Sequence, residues 1–173
     1  ALVNNVGILE PQGRVENIDG ARLARVFATN VIGSFLCARE AVRRMSTNHG
    51  GPGGAIVNVS SAAARIGSPN EYVDYAASKG AVETMTLGLA KEVAEDGIRV
   101  NAVRPGHIYT EIHAAGGEPG RVDRVKAAVP MKRGGSRRWR SGSSPTISAC
   151  CWTPHKPGWT RTTPRRRGPS PGP

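Results

Sequence analysis

The pair Tyr75 and Lys79 has the residue types and the spacing of a proton-transfer site. A separation of four residues places the phenol and the ammonium next to each other on one helix face. Because a nearby cation favours the phenolate, we expect Lys79 to lower the pKa of Tyr75 from its usual value of about 10. A tyrosine tuned in this way exchanges a proton with an alcohol or a carbonyl near neutral pH. Taken alone, such a pair is more typical of a solvated surface.

A second candidate is the pair Ser60-Ser61, which directly follows the apolar residues 55–59. That run is rich in β-formers and too short for a helix, so it predicts a buried strand. Open α/β sheets bind ligands at the carboxyl ends of their strands, and a hydroxyl there can donate to a substrate oxygen. Taken singly, each serine is more typical of a loop or a helix cap.

The turn Pro105-Gly106 ends another predicted strand, at residues 98–103. Proline and glycine permit a sharp turn whose backbone can approach a flat ring closely. Thr110 adds a hydroxyl a few residues later. By itself the segment indicates only the end of a strand.

Asn30 lies inside a predicted helix, where asparagine is a mediocre residue. It predicts either a local distortion with a freed carbonyl or a polar contact between helices. The single residue favours the contact.

The elements that must position these residues alternate between strand and helix. The sequence predicts a strand at 1–3, a helix at 17–45, a strand at 55–59, a loop at 60–70, a helix at 72–95, a strand at 98–103 and a short helix near 120–128. This order indicates an α/β fold, a Rossmann-like doubly wound parallel sheet with helices on both faces. Three short strands are too few to close such a sheet. Since the chain opens inside a strand without an initiator methionine, we expect sequence to be missing in front of it.

Together these residues form a pattern far more specific than any one of them. Asn-Asn-x-Gly follows a strand, Asn-Val-x-Gly lies in a helix, Ser-Ser follows a strand, Tyr-x-x-x-Lys lies in a helix and Pro-Gly follows a strand. Over residues 1–135 this pattern resembles the short-chain dehydrogenase/reductase family, in its ordinary bacterial form. The resemblance implies that the first βαβαβα portion and the last strand of the fold are missing.

The resemblance implies four catalytic residues. Tyr75 would be the general acid/base, and Lys79 would lower its pKa and bind the nicotinamide ribose. Ser61 would hold the substrate oxygen; we prefer it to Ser60, as the later of the two. Asn30 would anchor a water that relays protons through Lys79.

The resemblance also implies NAD or NADP as the cofactor. Asn4 and Gly7 would line its adenosine side. The nicotinamide side would be formed by Pro105, Gly106, Ile108 and Thr110, with Tyr75 and Lys79. The glycine-rich turn that holds the pyrophosphate has no counterpart before Asn4, and the residue that selects NAD over NADP is absent with it. We therefore expect this chain by itself to be inactive.

The implied function is hydride transfer between a nicotinamide cofactor and a secondary alcohol or ketone of sugar, steroid or 3-oxoacyl type. The family typically forms homodimers or homotetramers on the helices that hold Asn30 and Tyr75. Phe27, Phe35 and Leu36 in the long helix could be core residues alone, or could also pack against a sister subunit. No metal site is expected, because His107 and His113 lack partners at ligand spacing.

The composition predicts a cytoplasmic protein with no membrane association. There is no apolar run of membrane-spanning length. Three cysteines, Cys37, Cys150 and Cys151, give no disulfide framework, which favours a reducing compartment.

The final residues, 136–173, differ in composition from the rest of the chain. Residues 1–135 hold 16 basic and 13 acidic side chains, whereas 136–173 hold 8 basic and none acidic. We therefore divide the chain into a catalytic domain at 1–135 and a basic Pro/Arg/Ser-rich tail at 136–173 that we expect to be disordered. The alternative function is a non-catalytic fragment whose tail binds polyanions without specificity, and no specific nucleic acid is expected.

The tail is also a candidate for a shifted reading frame. Residues 136–144 can be encoded by GC-rich codons whose frame, moved by two bases, reads PEEVAERIL, an acidic amphipathic helix start. The nucleotide sequence tests this hypothesis, which fails if no single-base change restores a family-like ending.

Overall fold

The structure, a computed structural model, describes residues 1–136 of the 173-residue chain. The basic tail falls almost entirely within residues 137–173. The expectations for it therefore concern residues outside those that the structure describes.

Three parallel strands form one sheet in the order β1 (Leu2–Asn4), β2 (Gly54–Val59) and β3 (Ile98–Val103). Asn4 lies opposite Asn58, and Val59 lies opposite Val103, so the three strands end at the same edge. All three predicted strands are confirmed to within one residue at each end.

The helical segment between β1 and β2 has three parts: α1 (Gly20–Phe27), a π-helical turn (Ala28–Ile32) and α2 (Gly33–Met45). The prediction of one continuous helix from residue 17 is corrected here. The helix begins at Gly20 because the Asp19 side chain caps it, accepting a hydrogen bond from the Arg22 backbone N–H at 2.7 Å. Asn30 lies in the middle of the π-helical turn, so the local distortion is present, although the sequence had favoured the other interpretation of this residue, a polar contact.

The remaining helices follow β2 and β3. They are α3 (Ala63–Ile66), α4 (Val73–Glu92), α5 (Ile112–Ala115) and α6 (Arg121–Val125). Short 3-10 turns lie before β2, at Val15–Asn17 and Thr47–His49, and after α6, at Lys126–Ala128. The predicted helix at 72–95 is confirmed, although it ends at Glu92. The loop predicted at 60–70 contains the short α3.

The core lies between the sheet and helices α2 and α4. Ile56, Ile98 and Val100 from the strands pack with Ala41 and Val93. Because the order β1-β2-β3 advances in one direction, right-handed crossovers place α2 and α4 on the same face of the sheet. Within the described residues, the parallel α/β fold is the Rossmann-like class predicted, but helices cover one face and not two.

The uncovered surfaces are apolar in places. Val3 on β1 is 62% exposed, and Ile32, Phe35 and Leu36 are about half exposed. The sequence left core packing and a subunit contact open for Phe35 and Leu36, and both side chains are partly exposed. Among residues 1–136, no helix has both the length and the apolar character needed to cross a bilayer.

Candidate active site

A cavity of about 370 Å³ opens at the carboxyl edge of the sheet. Its lining combines the segments that follow β1, β2 and β3 with the first turns of α4. Eight of the predicted site residues line it: Gly7, Ser61, Tyr75, Lys79, Pro105, Gly106, Ile108 and Thr110. Asn4 and Asn30 do not.

Tyr75 and Ser61 meet inside this cavity. Tyr75 lies in the first turn of α4, and Ser61 is the side chain whose hydrogen-bonding interaction acts to lower the pKa of its phenol. Ser61 Oγ also accepts from the Ala63 backbone N–H at 3.2 Å, which fixes the direction of the hydroxyl. Burial raises the pKa of Tyr75, and the interaction with Ser61 opposes this rise only in part.

Lys79 lies one helical turn after Tyr75, and its ammonium is 5.7 Å from the centre of the Tyr75 ring. The Nζ atom donates to the carbonyl oxygen of Val59 at 2.9 Å. Burial lowers the pKa of Lys79 to about 8. The expectation that Lys79 lowers the pKa of Tyr75 is therefore wrong for the chain alone, because burial dominates both groups.

The two serines of the loop after β2 have different surroundings. Ser60 is 3% exposed, and its hydroxyl donates to Glu83 Oε1 at 2.8 Å and to the Lys79 carbonyl at 3.2 Å. Ser61 is the serine that reaches the phenol of Tyr75. The geometry thus favours Ser61 as the group that would hold a substrate oxygen.

Asn30 is fully buried and clamps the segment after β1. Its Oδ1 accepts from the Ile8 backbone N–H at 2.7 Å, and its Nδ2 donates to the Ile8 carbonyl at 3.1 Å and to Ser78 Oγ at 3.0 Å. Both interpretations of this residue hold, since it marks a distortion and also makes a polar contact with α4. Its side chain is directed at these partners, so any water relay would have to use its backbone.

Asn4 lies outside the cavity, in a row of buried polar groups. Its Nδ2 donates to Asn58 Oδ1 at 2.8 Å and to the Ser34 carbonyl at 3.2 Å. Asn58 in turn donates to Thr86 on α4 at 2.9 Å. Asn4 therefore does not line this cavity: its amide joins β1 to β2 and α2, and the neighbouring Asn5 lines the cavity. Its place on the adenosine side of a cofactor stays a prediction.

Sequence reasoning missed a basic wall of the cavity formed by His107, His113 and Arg121. Arg121 is 7% exposed, lies 4.8 Å from the centre of the Tyr72 ring and is ion-paired with Glu71. Burial, and then the charge of Arg121, lower the pKa of His107. His107 had a local signal, its position directly after Pro105-Gly106, whereas Arg121 had none.

The described residues contain no cluster of three or more His, Cys, Asp or Glu placed to bind a metal ion. Hydroxyl, phenol and ammonium groups dominate the polar lining. Such groups donate to and exchange protons with oxygen atoms, and they do not form a metal-ligand set.

The lining also fits one end of a nicotinamide cofactor. Gly7 leaves room beside Lys79, since a Cβ there would come within 3.1 Å of Nζ. A Cβ on Gly106 would meet nothing within 4 Å, so the Pro105-Gly106 turn presents bare backbone to the cavity. Among the described residues, no glycine-rich turn joins a strand to a helix to hold a pyrophosphate. The fit is therefore to the nicotinamide and its ribose.

Comparison with known proteins gives the family. The sequence profile described as enoyl-(acyl carrier protein) reductase matches residues 1–138. The chain therefore belongs to the short-chain dehydrogenase/reductase family, as the sequence pattern predicted.

Three relatives illustrate the range of the family. The uncharacterized oxidoreductase YgfF of Escherichia coli is 69% identical over 135 residues, covering 78% of this chain and 55% of that protein. NADPH-dependent aldehyde reductase 1, chloroplastic, of Arabidopsis thaliana is 39% identical over 134 residues, covering 78% and 44%. The crystal structure of 3-ketoacyl-(acyl-carrier-protein) reductase from Brucella melitensis complexed with NADH superposes with a TM-score of 0.69 at 29% identity, covering 78% and 54%. The chain thus spans about half the length of the relatives it matches.

Proposed function

We propose that this chain carries the catalytic portion of an NAD(P)-dependent oxidoreductase that interconverts a carbonyl compound and the corresponding alcohol. The observation that carries the proposal is the meeting of Ser61, Tyr75 and Lys79 in one cavity, beside the Pro105-Gly106 turn. The relatives named as an aldehyde reductase and a 3-ketoacyl reductase support the same carbonyl–alcohol chemistry.

In the reduction direction, Tyr75 donates its phenolic proton to the carbonyl oxygen of the substrate. The phenol is protonated at neutral pH and so has a proton to donate, and burial raises its pKa. Ser61, which interacts with that phenol, donates to the same substrate oxygen and holds it within reach. When bound, the nicotinamide cofactor supplies or accepts the hydride.

Lys79 contributes on the cofactor side. Its ammonium lies between the Gly7 segment and the Val59 carbonyl, where it can donate to ribose hydroxyls. A bound cofactor that accepts hydrogen bonds from Nζ favours the charged lysine, and we expect cofactor binding to raise the pKa of Lys79 above about 8.

The test compares this chain with a longer one, called the extended chain. The extended chain consists of this chain and the residues of the E. coli relative that the match leaves uncovered, joined in native order. Sugars, steroids and 3-oxoacyl thioesters are screened with NADH and with NADPH, following the absorbance of the reduced nicotinamide. We expect the extended chain to reduce at least one carbonyl and the present chain to bind either cofactor weakly or not at all. The proposal fails if no carbonyl in the panel is reduced with either cofactor.

We also propose that the extended chain self-associates through α2 and α4, as a dimer or tetramer. The half-exposed side chains Ile32, Phe35 and Leu36 support this, because large apolar groups clustered at a surface mark interfaces. Light scattering tests it: the extended chain is expected to be at least dimeric, and Phe35→Ser with Leu36→Ser to be monomeric. A monomeric parent contradicts the proposal.

A further inference from the structure

Glu83 lies on α4, four residues after Lys79 and eight after Tyr75, and no step of the proposed mechanism uses it. It does not line the cavity. Its side chain is nevertheless only 17% exposed, which is unusual for a carboxylate unless it is paired.

The two oxygens of this carboxylate are bound by groups from different segments. Ser60 Oγ donates to Oε1 at 2.8 Å from the loop after β2. The guanidinium of Arg104, in the segment after β3, donates to both oxygens, with Nη2 at 2.7 Å from Oε2. Arg65 of α3 adds a longer ion pair at 3.8 Å.

These partners are the chain neighbours of the site residues. Ser60 precedes Ser61, and Arg104 precedes Pro105. Glu83 thereby joins three segments: the one that presents the Ser61 hydroxyl, the one that forms the Pro105-Gly106 turn, and the helix of Tyr75 and Lys79. A backbone hydrogen bond from Ala62 N–H to the Pro105 carbonyl, at 2.9 Å, links the first two segments directly.

The carboxylate remains charged in this setting. Burial by itself raises the pKa of Glu83, but the hydrogen bonds from Arg104 and Ser60 outweigh it and hold the pKa below its usual value. Charge-assisted, two-point bonds of this type fix orientation more strictly than neutral ones.

We propose that Glu83 is a positioning residue, which sets the distance between the Ser61 hydroxyl, the Tyr75 phenol and the turn at Pro105. The inference rests on the proposed function. It predicts a loss in the chemical step rather than in cofactor binding, because a displaced hydroxyl weakens the contact with the reacting oxygen.

The first test is Glu83→Gln in the extended chain. It keeps the size of the side chain and removes the charge that Arg104 binds. We expect kcat to fall roughly 10- to 100-fold, the effect of a displacement near 1 Å, while KM for the cofactor changes less than about threefold. Glu40→Gln is the matched control. Glu40 is likewise paired with arginines, three in all, but on the surface of α2, and the kcat of this variant should equal that of the parent.

A milder variant covers the case in which Glu83→Gln does not fold. Ser60→Ala removes one bond to Glu83 and leaves the Arg104 pair intact. We expect kcat to fall several-fold with KM for the cofactor unchanged. Where Glu83→Gln does fold, the loss in the double variant should be less than the product of the two single losses. Equal kcat in Ser60→Ala and the parent, or fully multiplicative losses, would overturn the proposal.

A third measurement does not depend on activity. Hydrogen exchange of the Ala62 amide, which bonds to Pro105, should become at least tenfold faster in Glu83→Gln or Ser60→Ala, while Val100 in β3 keeps its protection. If the parent reduces no carbonyl, the proposed function fails and this exchange rate alone decides the role of Glu83. Unchanged exchange at Ala62 contradicts it.

Discussion

The ammonium of Lys79 lies 5.7 Å from the centre of the Tyr75 ring, and its hydrogen bond goes to the carbonyl of Val59 and not to the phenol. Of the side chains around the phenol, Ser61 is the one that acts to lower its pKa by hydrogen bonding. Lys79 and Tyr75 are therefore neighbours whose polar groups interact with different residues. Under the proposed function, this division would give proton transfer to Tyr75 and leave Lys79 available to a cofactor.

The first prediction concerns the phenolic proton. In the extended chain, Tyr75→Phe removes the only atom by which that ring can transfer a proton, and we expect kcat to fall by about 10²–10⁴. Cofactor affinity should stay within about threefold, since the ring itself is retained. Steady-state kinetics and fluorescence titration measure the two effects.

Tyr109→Phe is the control for that variant. Tyr109 is 43% exposed, donates to Asp123 at 2.9 Å and does not line the cavity. It should keep the kcat of the parent. Equal losses in the two variants would show that Tyr75 has no special role.

The second prediction is that stability rises with pH on the alkaline side. Burial lowers the pKa of Lys79 to about 8, whereas a lysine in the unfolded chain keeps its proton to about pH 10.4. Between these values the unfolded state binds more protons, so the free energy of unfolding increases with pH. We expect a gain of about 2 kcal/mol from pH 7.5 to 9.5 that is lost again as the pH falls through about 8.

Urea denaturation of the present chain at the two pH values measures this gain. Lys79→Met should abolish the rise, and Lys91→Met, at an exposed position near the end of the same helix, should retain it. Above pH 10 the trend reverses, because the raised pKa of Tyr75 disfavours ionisation in the folded state. An alkaline rise that persists in Lys79→Met rules out Lys79 as its source.

The third prediction tests the space beside Lys79. A Cβ added at Gly7 would lie 3.1 Å from Lys79 Nζ, the mobile end of a flexible side chain. Gly7→Ala should therefore displace the ammonium at little cost in stability while weakening cofactor binding about tenfold, or 1.4 kcal/mol. Titration of the extended chain with NADH and NADPH checks the affinity.

Gly88→Ala serves as the comparison for Gly7→Ala. Gly88 lies on α4, and a Cβ there meets nothing within 4 Å. Alanine at this helical position should stabilise the protein by about 0.5–1 kcal/mol without changing cofactor affinity. If both variants bind the cofactor like the parent, Gly7 does not border its site.

Short-range patterns were enough to place most of the site. The Ser60-Ser61 pair and the Pro105-Gly106 turn follow strands, and the carboxyl ends of parallel strands share an edge, so their convergence could be predicted from element order. The motif of Tyr75 and Lys79 required only helical spacing. The mid-helix distortion was signalled by Asn30, a poor helix former.

Contacts between distant segments could not be predicted in this way. The bonds from Asn4 to Asn58 and from Ser60 to Glu83 join residues 54 and 23 positions apart, and no local pattern specifies such partners. The direction of the Tyr75 pKa shift was also missed, because spacing reveals the nearby cation but not the burial that outweighs it. Burial depends on how the whole fold closes around α4.

The last prediction concerns the ion pair between Arg22 and Asp74, which joins α1 to the first turn of α4. Arg22 Nε and Nη2 donate to the two carboxylate oxygens at 2.7 and 3.2 Å, and the Asp74 side chain is 1% exposed. Removing one partner leaves the other charge buried, so Arg22→Met should destabilise the chain by about 3 kcal/mol or more.

The matched control for this pair is Arg25→Met on the same helix. Arg25 is 56% exposed and pairs with Glu10 at 3.0 Å, so its loss should cost far less stability than the loss of Arg22. Urea denaturation of both variants gives the comparison. Because Asp74 directly precedes Tyr75, Arg22→Met should also lower kcat in the extended chain, whereas Arg25→Met should not. Equal stability of the two variants would mean that solvent reaches Asp74 and that α1 does not hold the start of α4.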